Sequence, residues 1–276
     1  MLIAQITDLH IGLEPISALN DARLERVVAR LNAIGPDLVL ATGDLTESGD
    51  TESYARLKAI LAGIEAPVWS TVGNHDRRAQ FLDAFPETPT SDGFVQYAID
   101  LPGLHVIVLD TLEEGRHGGA FCALRARWLS ERLAAAPDRP TLIALHHPPA
   151  PSGIAWMDAG AEGDWSRRLF ACLTGHSRVV GIVSGHVHRP AVTVAAGLPL
   201  VIAPSTAPEV GLDLRPIDAD RSDRRPLIVE GAPGLALHLW RDGRLTTHFD
   251  SVGDERVLAR YDDQTQPMVQ DLMADG

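Results

Sequence analysis

Short apolar runs alternate along most of the chain with stretches whose hydrophobic positions recur every three or four residues. The first run, Leu2–Thr7, reads as a strand, and Leu24, Val27, Val28, Leu31 and Ile34 then mark one face of a helix that Gly35-Pro36 closes. Leu38–Thr42 is the second strand, Tyr54, Leu57, Ile60 and Leu61 the next helical face, and Val68–Val72 the third strand. Strands this apolar, separated by helices, predict a sheet covered on both faces. Further strands are expected at Phe94–Ile99, His105–Leu109, Leu142–Leu145 and Val179–Ser184, with helices near Phe121–Ala135 and Asp164–Leu173. Ala191–Ala195, Leu200–Ala203, Gly234–Trp240 and Arg244–Phe249 complete the strands, the last two as a hairpin, and the whole predicts a mixed α/β sandwich.

The segment Leu212–Pro226, rich in Asp, Arg and Pro, reads as a surface loop or cap, and the last dozen residues as a loosely held tail. The expected division is a catalytic core over 1–205, a cap-like loop with the C-terminal hairpin over 206–260, and a tail over 261–276. A chain of 276 residues buries a sizeable core without disulfides, and Cys122 and Cys172 have neither CxxC pairing nor secreted-scaffold spacing. A reducing, cytoplasmic setting is expected. The start at Met1 runs straight into a strand rather than a signal peptide, and no apolar run approaches the roughly 20 residues of a membrane span.

A formal net charge of -13 argues against a polymeric nucleic-acid partner, whose binding rests on Lys and Arg neutralising phosphates. Small anionic substrates stay open, because bound cations reverse the local potential even on an acidic protein.

The candidate chemistry lies where strands end. Asp8 and His10 follow the first strand two residues apart, so that strand alternation would point both side chains the same way. The second strand ends in Gly43-Asp44, the third in Gly73-Asn74-His75-Asp76, and later ones in His146-His147-Pro148-Pro149 and Gly185-His186-Val187-His188. In open α/β sheets ligands bind at that edge, where residues distant in sequence converge. Asp8, His10, Asp44, Asn74, His146, His186 and His188 offer imidazole, carboxylate and amide donors without a thiolate, a set suited to Mn, Fe, Co, Ni or Zn. Two ions about 3.5–4 Å apart require a shared ligand, and the two oxygens of Asp44 suit that place. His105, His117, His176, His238 and His248 lack such partners and read as core, surface or loop residues; His147 adjoins a ligand yet would face away if its strand continued.

Taken in order, these blocks resemble the calcineurin-like metallophosphoesterase signature of D-x-H, G-D, G-N-H-[DE], H and G-H-x-H, over Leu2 to about Arg189. The resemblance implies a four-layer α/β/β/α sandwich of two mixed sheets. It implies one metal held by Asp8, His10, Asp44 and His188 and a second by Asp44, Asn74, His146 and His186. His75 is then the catalytic residue that holds no metal, and it is also the one imidazole beside the cluster left unclaimed, able to donate a proton to a leaving alkoxide.

Gly43-Asp-Leu-Thr-Glu-Ser-Gly49 lacks the longer block of the Ser/Thr phosphatases, and Tyr54 lies too far on for the tyrosine ligand of purple acid phosphatases. The run from His146 to Asp158, with Pro204-Ser-Thr-Ala207 and Pro233–Trp240, looks like the class III cyclic nucleotide and glycerophosphodiester phosphodiesterases. That similarity implies hydrolysis of small phosphodiesters by in-line attack of a hydroxide shared between the metals, and a homo-oligomer, a dimer or larger. Asn74 and His75 are expected near the phosphate, with Ser152–Gly160 and Thr206–Glu209 as candidate walls. Trp156 suits either stacking on a nucleobase or filling a hydrophobic corner, and Thr206 is a further candidate contact. The alternatives are a broader phosphodiesterase and phosphomonoesterase, a nuclease, and a catalytically silent scaffold.

Overall fold

The computed structural model describes residues 1–253 and 256–274; Asp254 and Glu255 of the expected hairpin unit and Asp275 and Gly276 of the expected tail lie outside the described residues. In chain order the first half comprises β1 (Leu2–Ile6), α1 (Ser17–Ile34), β2 (Leu38–Thr42), α2 (Thr51–Leu61), β3 (Val68–Thr71), α3 (Arg78–Ala84), β4 (Tyr97–Leu101) and β5 (Leu104–Val108). The second half comprises α4 (Ala123–Ala135), β6 (Thr141–Ala144), α5 (Asp164–Leu173), β7 (Val179–Ser184), β8 (Ala191–Ala195), β9 (Leu198–Ile202), β10 (Glu209–Val210), β11 (Ile228–Val229), β12 (Gly234–Arg241), β13 (Arg244–Ser251) and α6 (Gln266–Ala274).

One sheet runs β13-β12-β1-β2-β3 and a second β4-β5-β6-β7-β9-β8, with β10 and β11 a separate pair. β1, β2 and β3 are parallel and β12 joins β1 antiparallel, so the first sheet is mixed. In the second, β5, β6, β7 and β9 are parallel while β4 and β8 close its edges antiparallel.

Side-chain parity shows how the layers stack. Val106, Val108, Leu142 and Ala144 of β5 and β6 pack in the core that holds the first sheet, whereas their neighbours Ile107, Leu109, Ile143 and Leu145 pack with Leu129 of α4 and Leu169 of α5. Because residues along a strand alternate faces, the second sheet lies between the first sheet and its own helices. Leu24, Val27 and Leu31 of α1 and Leu57 of α2 belong to the first core, which completes an α/β/β/α sandwich. Polar ties cross between the sheets: Gln5 Nε2 donates to the Ser184 carbonyl at 3.0 Å, and the Tyr97 hydroxyl to the Ser70 carbonyl at 2.7 Å.

Local signals account for most boundaries. Gly35 ends α1 with φ 65°, its N–H donating to Leu31 O, and the Asp50 carboxylate caps α2 through Ser53 N at 2.8 Å. Asp242 and Gly243, both with positive φ, turn β12 into β13. Five elements differ from the periodicity, among them β10 and β11, which at two residues each are too short to show an alternation. The strand expected from Phe94 begins at Tyr97, because Phe94 is taken by a tight reversal onto Ser91. α3 was not expected: seven residues with one buried side chain, Phe81, are too few to display a helical period. The tail forms a helix, α6, although none of its side chains is buried. No helix among the described residues is long and apolar enough to cross a membrane.

Candidate metal centre

Every strand-end cluster opens onto the same edge, where the two sheets meet. β1 stops at Ile6, so Asp8 and His10 lie beyond it, and strand alternation is not what aims them. Left-handed backbone does so instead: Asp8 (φ 52°), His10 (47°), Asp44 (46°), His186 (73°) and His188 (58°) are five of the nine non-glycine residues with positive φ among the described residues. Such conformations cost roughly 1–3 kcal/mol each and persist where the surroundings over-determine them. Here backbone pairing fixes the loops, with Asp8 N–H donating to Gly43 O at 3.0 Å, Leu9 N–H to Asp44 O at 2.8 Å and Gly185 N–H to His146 O at 3.0 Å. Glycine is required at these crossings: a Cβ on Gly73 would sit 2.2 Å from Asp44 Oδ1, and one on Gly185 1.9 Å from Thr7 Oγ1.

The side chains converge as an array of lone pairs. His10 Nδ1 donates to Glu47 Oε2 at 2.6 Å, His188 Nδ1 to the Pro208 carbonyl at 2.9 Å and His146 Nδ1 to the Thr42 carbonyl at 2.8 Å. Each imidazole therefore turns an unprotonated Nε2 inward in its neutral tautomer. The Nε2 atoms of His10 and His188 lie 3.0 Å apart, and Asp8 Oδ1 is 3.5 Å from the latter. His146 Nε2 faces Asp44 Oδ2 at 3.2 Å and Asn74 Oδ1 at 3.3 Å. Asp8, Asp44 and His146 are buried, and His186 Nδ1 is a buried nitrogen without a hydrogen-bond partner. Acceptors packed against acceptors are repulsive unless a cation or proton lies among them, so the donor set fits bound metal. Asp8, His10 and His188 bring ligand atoms within 4.8 Å of one another, as do Asp8, Asp44 and His146.

Ionisation follows the same crowding. Burial pushes the Asp8 carboxyl up to about 6. Burial also opposes the charge on Asp44, but His146, His10 and His75 outweigh it and hold that carboxyl well below its ordinary value. His146 gains correspondingly, rising to about 9 against burial because Asp44 adjoins it, while burial and the neighbouring His146 drive His186 down to about 3.

His75 stands beside this array. Its N–H donates to Asp44 Oδ1 at 2.9 Å and its Nδ1 to the Glu47 carbonyl at 2.9 Å. Asp76 anchors the turn from below: its carboxylate accepts from Gly73 N, Leu45 N and Thr46 N, and from the Tyr54 hydroxyl at 2.9 Å. A cavity of about 520 Å³ opens over the array, bordered by His10, Asp44, Asn74, His75, His186 and His188 on its polar side and by Trp156 among its walls. Thr206 is not at that wall. It is fully buried, its N–H donating to Thr7 O and its carbonyl accepting from Arg23, so Ala207 and Pro208 take its place.

Three residues join the site that periodicity and spacing did not place there. Glu47 fixes the His10 ring, through a contact made because the loops after β1 and β2 run side by side. His117, read as a loop residue, borders the cavity with its ring centroid 6.1 Å from that of His75. His147 does not turn away: it lies buried within 4.8 Å ligand reach of His146 and His186, with Nδ1 2.8 Å from Thr111 Oγ1. Only the paired histidines at 146 and 147 hinted at this.

The family model described as calcineurin-like phosphoesterase matches residues 1–190. The chain belongs to this family. It is 34% identical to a probable cyclic nucleotide phosphodiesterase of Rhodopseudomonas palustris, over 93% of this chain and 99% of the relative. It is 29% identical to a probable glycerophosphodiester phosphodiesterase of Arcobacter nitrofigilis, over 92% of this chain and 94% of that protein. Among solved structures, a dimetal phosphatase from Danio rerio shares the fold with a TM-score of 0.70 at 13% identity, covering 92% of this chain and 96% of that one.

Proposed function

We propose that the array of inward lone pairs holds two metal ions and that the chain hydrolyses small phosphodiesters over it, 3′,5′-cyclic nucleotides and glycerophosphodiesters being the candidate substrates. The chain is a phosphoric diester hydrolase of the calcineurin-like family. The observation that carries the metal assignment is the 3.0 Å approach of His10 Nε2 to His188 Nε2, two lone pairs whose repulsion a shared cation relieves. Asp8, His10, Asp44 and His188 would hold one ion, Asp44, Asn74, His146 and His186 the other, with Mn, Fe, Co or Zn suited to such donors. Bound there, the metals would supply Lewis acidity toward the phosphoryl oxygens and make water a nucleophile near neutral pH.

The protein's own groups do the rest. The backbone N–H of His75 donates to Asp44 Oδ1, which ties the turn carrying the proposed proton donor to the shared carboxylate. His75, its Nδ1–H donated to the Glu47 carbonyl, carries a second proton on Nε2 only as the imidazolium, a form that burial opposes but that Asp44 and Glu47 favour by raising its pKa; that Nε2 proton goes to the departing alkoxide while water supplies the oxygen that joins phosphorus. Asn74 and His75 border the cavity where the phosphate would lie. Among the described residues its wall carries no Lys or Arg, which disfavours polymeric nucleic acid and fits a diester's single charge better than a monoester's two. Two free cysteines fit a reducing cytoplasm, and the exposed apolar side chains of α6 support a homo-oligomer.

The test is hydrolysis of bis(p-nitrophenyl) phosphate with added Mn²⁺, with and without chelator. Turnover that appears with metal and vanishes with chelator is expected; a silent scaffold would give none under either condition.

A further inference from the structure

Away from the metal-binding floor the cavity changes character. Leu13 and Ile16 come from the loop after β1, Trp156 and Met157 from the segment after β6, and Val210 and Ile228 from the β10–β11 pair. Three separate segments thus turn hydrocarbon toward one space, and among the described residues none that borders it is Lys or Arg. Ile228 borders the cavity while remaining 55% exposed, so it marks the mouth. Beyond it the same hairpin carries Leu227, Leu212 and Leu214, all exposed. A single exposed leucine means little, but a run of them continuous with a cavity wall is a binding feature.

Size agrees. An apolar cavity of about 150 Å³ accommodates benzene, and about 520 Å³ leaves room for a phosphoryl group at the floor together with a ring or a chain of several carbons. Water filling such a space has few hydrogen-bond partners along the apolar walls, so a ligand group that displaces it without needing such partners gains most.

Resting on the phosphodiesterase reading above, we infer that this wall is a subsite for a hydrocarbon-like ester group, chain or ring, so that the enzyme favours diesters with one apolar alcohol and, of the candidate substrates above, takes glycerophosphodiesters whose alcohols are both polar least well. Ile228 and Ile16 are its specificity-determining residues. The β10–β11 hairpin extends the subsite outward for groups longer than the cavity.

The experiment uses the full chain and a series of phosphonates as competitive inhibitors of bis(p-nitrophenyl) phosphate hydrolysis: methyl, butyl, hexyl, phenyl and 2,3-dihydroxypropyl. A fully buried methylene is worth about fourfold in affinity, and part of this subsite is open, so Ki is expected to fall at least tenfold from methyl to hexyl. The dihydroxypropyl compound is expected to bind like methyl. The phenyl arm separates ring from chain, with a Ki at or below that of butyl expected. Calorimetry supplies a readout independent of turnover: binding of hexylphosphonate carries a negative heat-capacity change larger than that of methylphosphonate. Ile228→Ser and Ile16→Ser should each flatten the dependence on chain length, and the exposed position of Ile228 guards against misfolding. A Ki independent of chain length overturns the subsite, and so does a steep dependence that survives both substitutions. Absence of metal-dependent turnover would instead overturn the phosphodiesterase reading, leaving calorimetry to judge the subsite.

Discussion

The floor and the mouth of one cavity are built by opposite means. At the floor, the loops after β1 and β2 and those after β6 and β7 are tied backbone to backbone, the loop after β3 is held through the carboxylates of Asp44 and Asp76, and positions such as Gly73 and Gly185 admit no Cβ. At the mouth, a two-residue strand pair carries a long loop whose ion pairs are local, Arg215 with Asp213 and Arg225 with Asp223, and whose leucines are exposed. The contrast teaches where chemistry and selectivity reside. Groups that must be placed to within a fraction of an ångström stand on over-determined strand ends, whereas the surface that selects the ester group lies on an element whose exchange would leave the floor intact.

Substitutions at the floor should break activity most. Asp44→Asn removes the carboxylate that His10, His146 and the His75 N–H all address. Turnover is expected to fall by roughly 10³-fold or more, as for a group that acts as part of a unit, and metal analysis should find less bound ion. His75→Ala is expected to lose about 10²-fold or more with metal content retained. Its deficit should be larger for alkyl than for p-nitrophenyl leaving groups; equal deficits for both would remove its role as proton donor.

A core substitution separates stability from both regions. His238 of β12 is buried against Gln5 Oε1 at 3.0 Å and Thr247 Oγ1 at 2.8 Å, and burial pushes its pKa from 6.5 down to about 4. Since the folded value is depressed, the unfolded chain takes up the proton first as pH falls. Stability is therefore fully present above about pH 6.5 and declines toward pH 4, by on the order of 3 kcal/mol from this group. Urea unfolding of His238→Gln across that range should show a shallower decline than wild type, and an unchanged slope would mean that His238 is not held neutral.

Smaller effects sharpen the contrast. Tyr54→Phe takes one donor from Asp76 beneath the His75 turn and should cost about 1 kcal/mol of stability, with a modest loss of turnover. Leu212→Ser on the exposed hairpin loop should stay within about 0.5 kcal/mol of wild type in the same unfolding assay.

The sandwich and the floor were legible in the sequence for one reason: an uninterrupted apolar strand followed at once by Gly-Asp, Gly-Asn-His or Gly-His leaves little else for the strand end to do. Asp8, His10, Asp44, Asn74, His146, His186 and His188 accordingly meet at one edge. What aims Asp8 and His10 was not legible, because a left-handed φ at Asp or His leaves no mark in the pattern. Glu47, His117 and His147 escaped for a different reason, since their roles depend on which loops lie side by side and not on spacing within any one loop. Thr206 read as a wall residue because its loop borders the cavity, but Ala207 and Pro208 are the residues that line it, while Thr206 is buried with its backbone tied to Thr7 and Arg23.

Anomalous diffraction from crystals grown with Mn²⁺ tests the central claim most directly. Two peaks about 3.5–4 Å apart, both within bonding distance of Asp44, are the expected result. A single ion that does not touch Asp44, or ions bound only to surface carboxylates away from His10, His146 and His188, would contradict it.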